Sequence, residues 1–286
     1  MANKILITGG TGTVGSVLLE KLAATDANVR ALVRSQGKAE RIEASGIEAV
    51  IGDLDKPETL PAALNGVGKV FLLTSPTERQ AELEGNVIAA AQNAGVSHIV
   101  KLSAIGAGPD APPLIRDHYL IEQEIERKGI PHTHLRPNGF MQNILMNAPT
   151  IKEKGLFYGS LGEAKVSYVD ARDIAAVAAA VLTGDGHEGK AYEITGPQSL
   201  SSKEVAQEFS SVLGKDVQYV DLPLEAMRSS MLGTGMSAWL TDRLIGLFEF
   251  YREGRAATVS NVVREVTGQE PITLRQFVRE HVEAFE

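Results

Sequence analysis

Three side chains near the middle of this 286-residue chain can hold or move a proton. His118 and Glu122 stand one helical turn apart in a segment with helical periodicity, which puts them on one face. An imidazole with an ordinary pKa of about 6.5 can donate a proton to a substrate oxygen or grip it, and the carboxylate can orient the ring. The alternative is a surface ion pair worth about 0.3 kcal/mol. Ser103 closes an apolar run, where its hydroxyl can bind a substrate oxygen or satisfy a strand-end carbonyl. The other histidines (His98, His132, His134, His187 and His281) show no metal-ligand spacing. His132 and His134 share a strand face, but no carboxylate or third histidine is seen to join them. No metal site is expected.

A second constellation suits phosphate. Lys4 to Ile7 is a short apolar run. It leads into Thr8-Gly9-Gly10-Thr11-Gly12-Thr13-Val14-Gly15, then a helical pattern with Val14, Val17, Leu18 and Leu22 on one side. A further apolar run, Val29 to Val33, closes the unit. Glycines here allow a sharp turn, close approach of backbone N–H groups to phosphate, and tight helix–strand packing. With a strand before it and a helix after it, the turn reads as a dinucleotide cradle rather than an empty bend. Arg34 follows the second strand where an NAD site usually carries a carboxylate for the ribose 2′-hydroxyl. Arg34 and Lys38 can pair with a 2′-phosphate, so NADP is expected, with NADPH preferred over NADH; otherwise they are solvated cations. Asp53, beside Leu54, ends the third strand and can accept from an adenine amino group or cap a turn. Thr74 and Ser75 end the fourth strand and are expected to line the trough through their backbone.

These groups need a scaffold that brings strand ends together. Strands are expected over 3–8, 28–33, 47–51, 69–74, 97–103 and 131–136. Helices are expected near 14–24, 36–45, 57–64, 78–94 and 114–128. That alternation predicts an α/β fold, a Rossmann-type doubly wound parallel sheet with ligands at the carboxyl ends of its strands. Short strands follow at 156–158 and 165–168, then an Ala-rich helix over 170–182 capped by Asp170, and a strand over 191–195. Residues 201–286 read as mainly helical, with a strand near 217–221. Residues 1–150, rejoined by 165–197, form the expected nucleotide-binding domain. Residues 151–164 and 198–286 form a smaller substrate-side region.

A net charge of −8 argues against a nucleic-acid surface, and the absence of cysteine excludes disulfides and thiolate chemistry. No apolar run has the length of a membrane span and no signal segment opens the chain, so no membrane partner is expected and a cytoplasmic location follows by default.

Thr8 to Gly15, Ala31 to Arg34 and Gly52-Asp53 resemble the start of the NmrA-like branch of atypical short-chain dehydrogenases. Leu135 to Asn143 (LRPNGFMQN) and Tyr168 to Ala175 (YVDARDIA) resemble two further signatures of that group. The likeness covers about 200 residues and fades in the C-terminal third. It implies a substrate cleft between a Rossmann domain and a small helical region, and a histidine role at His118. Within the group the chain is most similar to bacterial NAD(P)H-dependent quinone, azo-dye and triphenylmethane-dye reductases. The wider class uses a Tyr acid with Lys four residues on; here Tyr119 is followed by Gln123. A quinone or cationic dye can take hydride without a strong enzymic acid, so a flat apolar slot suffices. Asn138, Phe140, Met141 and Asn143 follow the sixth strand and can form one wall, where Asn138 can hydrogen-bond a cofactor or substrate group and Phe140 can stack. The apolar stretch 224–251, with Met227 and Trp239, can form the other, or instead a core or homodimer contact. The expected partner is a small aromatic or quinone acceptor. A non-catalytic NAD(P)-binding redox sensor is the alternative.

Overall fold

The computed structural model describes residues 4–286. Seven parallel strands build the central sheet: β1 (Lys4–Ile7), β2 (Asn28–Val33), β3 (Glu48–Ile51), β4 (Val67–Leu72), β5 (His98–Leu102), β6 (His132–Pro137) and β9 (Lys190–Ile194). Their order is β3-β2-β1-β4-β5-β6-β9, which reverses direction at β1. The expected Rossmann architecture is therefore present, with β9 extending the far edge. Asn3, the first residue of the strand expected over 3–8, lies outside the described residues.

Apolar periodicity explains the layers. Helices α1 (Thr13–Ala23) and α7 (Ala171–Thr183) cover one face, where Leu18, Leu22, Ile174 and Val181 are fully buried against Ile7, Val100 and Leu135. Helices α3 (Leu60–Leu64), α4 (Gln80–Asn93) and α5 (Pro113–Arg127) cover the other, where Ile88, Ile121 and Ile125 meet Leu72 and Ile99. Helix α2 (Gln36–Glu43) lies against the β2–β3 edge. The helix expected over 57–64 splits into a 3-10 turn, Pro57–Thr59, and the short α3, with a proline in the first turn of each. Proline lacks an N–H and is accepted only there.

Beyond β6, a 3-10 stretch (Met141–Asn147) runs into α6 (Ala148–Lys154). Strand β7 (Leu156–Gly159) pairs in parallel with β11 (Gln218–Asp221). Strand β8 spans only Lys165–Val166, pairing with β10 (Leu200–Ser201). The expected strand over 165–168 stops early because Ser167 and Val169 leave the ladder to bond the Ala256 and Gly139 carbonyls. Helix α8 (Ser202–Leu213) starts with a capping box, Ser201 with Glu204, which holds the Glu204 carboxyl down at about 2. Helices α9 (Leu224–Gly233) and α10 (Ala238–Arg252) pack together, and α10 also packs on α5. Helix α11 (Val262–Thr267) returns to the main sheet layer and buries Val263 beside α7, and α12 (Leu274–Glu280) packs on α8.

Candidate functional site

The carboxyl ends of β1 to β6 open onto one cleft of about 620 Å³. Its first end is the glycine turn. Thr8 Oγ1 bridges the ends of β1 and β4, accepting from the Leu73 amide at 2.8 Å and donating to the Leu73 carbonyl at 2.8 Å. Gly9 has φ +66°, a conformation that disfavours any other residue. Gly12 caps α1 with no side-chain acceptor, and the first turn carries no acidic residue. The helix thus presents bare N–H groups and its positive dipole end to the cleft, a setting that selects anions. Gly15 does not line the cleft. It lies under the turn, where a Cβ would come within 2.2 Å of the Gly9 carbonyl oxygen.

Gly9, Gly10, Thr11, Gly12, Thr13 and Val14 line the cleft, followed by Arg34 and Lys38 beside the end of β2. Asp53 and Leu54 line it from the end of β3, and Thr74 and Ser75 from the end of β4. Asp53 also closes its own turn, accepting from the Asp55 amide at 3.1 Å. A glycine turn under the bare helix end, two cations beside the end of β2 and a polar strand-end rim fit a nicotinamide dinucleotide.

The far end holds Ser103, His118 and Phe140, with Leu102 and Leu73 as apolar wall. Ser103 Oγ and His118 Nδ1 are buried without a hydrogen-bond partner. Burial, reinforced by the nearby Lys101 ammonium, pushes the His118 imidazole well below its ordinary 6.5, so the ring is neutral at neutral pH. It can donate or accept a hydrogen bond but does not carry a spare proton. No tyrosine lines this cleft among the described residues.

Glu122 does not orient His118. It is fully buried and accepts from Arg136 Nε at 2.9 Å and Nη2 at 2.5 Å. The two residues do share a face of α5, but Glu122 meets a strand side chain instead of its helical neighbour. Asn138 is likewise turned away from the cleft. Its amide donates to Ser167 Oγ and to the Ala256 carbonyl, both at 2.8 Å, and knits the strand-end loop to the C-terminal chain. Met141 is core, 1% exposed among Phe209 and Ile144, because the 3-10 stretch rolls it inward. Asn143 is exposed at the surface. Met227 lies on α9, outside the cleft lining. Trp239 is also outside it. Its ring carries the Arg243 guanidinium 4.6 Å from its centre, and Arg243 reaches Asp117, next to His118, at 3.3 Å.

The sequence reading missed a buried ion pair behind the site. Lys101 and Glu84 are both fully buried, with Nζ 2.8 Å from Oε2. Glu84 also accepts from Thr74 Oγ1 at 2.8 Å and Gln80 Nε2 at 3.1 Å. Thr74 therefore offers the trough its backbone while its hydroxyl is anchored below. The available signal was a lysine set between apolar residues, Ile99-Val100 and Leu102, inside a strand. The pairing of His132 and His134 also needs correction, since a carboxylate does join them: Glu126 comes round from the last turn of α5.

Sheet order, uncapped helix end and cleft together define a nucleotide-binding Rossmann protein of the dehydrogenase type. The chain belongs to the NmrA-like family, whose pattern it matches over residues 1–277. It is 44% identical to an NAD(P)H azoreductase of Xenophilus azovorans, over 98% of this chain and 99% of that one. Its fold is similar to the NADPH-dependent quinone oxidoreductase QOR2 of Escherichia coli complexed with NADPH, at TM-score 0.91 and 31% identity, covering 98% and 99% of the two chains. The triphenylmethane reductase of Citrobacter sp. complexed with NADP(H) is also similar, at TM-score 0.89 and 27% identity over 96% and 99%.

Proposed function

We propose that this NAD(P)H-dependent reductase prefers NADPH and delivers hydride to a quinone or a similar flat conjugated acceptor, such as an azo or triphenylmethane dye. The observation that carries the reading is one uninterrupted cleft. It runs from the bare end of α1, past Arg34 and Lys38, to a floor lined by Ser103, His118 and Phe140. The nicotinamide coenzyme supplies the hydride when bound. The glycine turn holds the diphosphate, and Arg34 with Lys38 meets the 2′-phosphate. Ser103 and neutral His118 offer hydrogen bonds to an acceptor oxygen or nitrogen, and Phe140 offers a stacking face. Such a floor suits an acceptor that spreads the incoming charge itself and takes its proton from water. The named activities of the azoreductase and quinone oxidoreductase relatives support this choice. The test is to follow the coenzyme absorbance band while pure protein meets NADPH and a panel of quinones and dyes. Turnover supports the reading; tight coenzyme binding with no turnover on any acceptor would point to a redox sensor.

Two predictions attach here. Arg34→Ala should weaken NADPH binding roughly ten- to hundredfold and leave NADH within about twofold. Equal dissociation constants for both coenzymes, untouched by this change, would remove the NADPH preference. The pH profile of kcat/KM should show no His118 inflection near the ordinary imidazole value of 6.5, because burial holds the ring well below it. His118→Gln, which keeps a hydrogen-bond donor, should retain more activity than His118→Leu. An inflection near 6.5 that vanishes in His118→Gln would mean that the ring works as a proton donor.

A further inference from the structure

The amino end of β6 carries a cluster that coenzyme chemistry does not use. His132 and His134 project from one face of the strand with their rings stacked, centroids 4.6 Å apart at 21°. Glu126 meets them from the last turn of α5, its Oε1 3.2 Å from His134 Nε2. One donor atom from each of the three lies within 4.8 Å of the other two. A four-coordinate zinc ion holds imidazole nitrogen and carboxylate oxygen at about 2.0–2.2 Å, which spaces its ligand atoms roughly 3.3 Å apart. The Glu126–His134 separation already matches that spacing.

Outer contacts hold two of these groups in the form a metal requires. His132 Nδ1 lies 2.9 Å from the Ile130 carbonyl, which can only accept. The ring must donate there, and its Nε2 keeps a free lone pair. Gln123 donates to the other Glu126 oxygen at 2.8 Å and leaves Oε1 turned toward His134. Three carboxylates, those of Glu122, Glu126 and Glu193, bear on the single Arg136 guanidinium alongside. Surplus negative charge favours a cation. Glu126 is exposed and His132 half-buried, so a fourth position opens to water.

We propose that Glu126, His132 and His134 bind one divalent first-row transition ion, zinc by donor set, with a solvent-facing coordination position. The site lies at the opposite end of the strands from the cleft and clamps the last turn of α5 to β6.

The experiment titrates chelator-washed protein with zinc and with cobalt(II) at neutral pH, by calorimetry and visible absorption. The expected result is one equivalent bound with a Kd of roughly 10 µM or tighter, and intense cobalt bands of a four- or five-coordinate ion. Zinc should also raise the thermal midpoint. His132→Ala and Glu126→Gln should each weaken binding about tenfold or more, while His281→Ala leaves it unchanged. NADPH binding, measured in parallel with chelator present, should not change in any of these proteins. No saturable binding, or binding that survives both His132→Ala and Glu126→Gln, would overturn the proposal.

Discussion

Gly15→Ala is expected to cripple coenzyme binding. A Cβ at this position would lie 2.2 Å from the Gly9 oxygen, 2.8 Å from the Gly9 carbonyl carbon and 2.9 Å from Gly10 Cα. All three are backbone atoms of the turn and cannot step aside as a flexible side chain would. Either α1 tilts away or the turn opens, and both move the N–H groups that face the cleft. We expect a loss of about 3 kcal/mol in folding stability and of roughly a hundredfold in NADPH affinity, read by urea denaturation and calorimetry. Gly37→Ala is the matched control. It lies in α2 with nothing within 4 Å of the added carbon, so it should be neutral or slightly stabilising. NADPH affinity close to wild type in Gly15→Ala would show that the turn does not grip the diphosphate.

Arg136→Met should be strongly destabilising although it lies away from the glycine turn. Glu122 has no exposed side-chain surface, and Arg136 supplies both of its hydrogen bonds. Removing the guanidinium strands a charge in a layer filled by Ile121 and Ile125. Loss of one partner from a buried pair costs about 3–5 kcal/mol. Arg136 is 23% exposed on its side chain, so the lower end is expected. The paired change Glu122→Met with Arg136→Met should recover most of the loss, because two apolar side chains of similar length leave no charge behind. Denaturant midpoints decide it. A single variant as stable as the double one would mean that Glu122 finds water or another donor.

The alternating strands and helices were legible because parallel strands and amphipathic helices write their periods locally. The glycine-turn end of the cleft was legible for the same reason: glycine turn, Arg34 and Asp53 each sit at a strand's end and line the cleft. The lining of the other end was not. Met141 and Asn138 look like wall residues by position, yet the 3-10 stretch and the Ala256 carbonyl draw them inward, and neither effect leaves a mark in spacing. Glu122 was assigned to the right face and the wrong partner, since helical spacing cannot say what a strand will present. Lys101 with Glu84, and Glu126 with the two histidines, are meetings of helix and strand that exist only after docking.

The same docking sets what lengths of chain the site can tolerate. Glu122 with Arg136 and Glu126 with His134 fix the rotational phase of α5 at two successive turns. One residue inserted between 118 and 122 would swing His118 by about 100° relative to those anchors. The same insertion at Gly108 to Asp110, ahead of the helix, would only lengthen a surface loop. Natural or engineered indels should therefore gather upstream of α5, with the stretch from 118 to 126 kept at constant length.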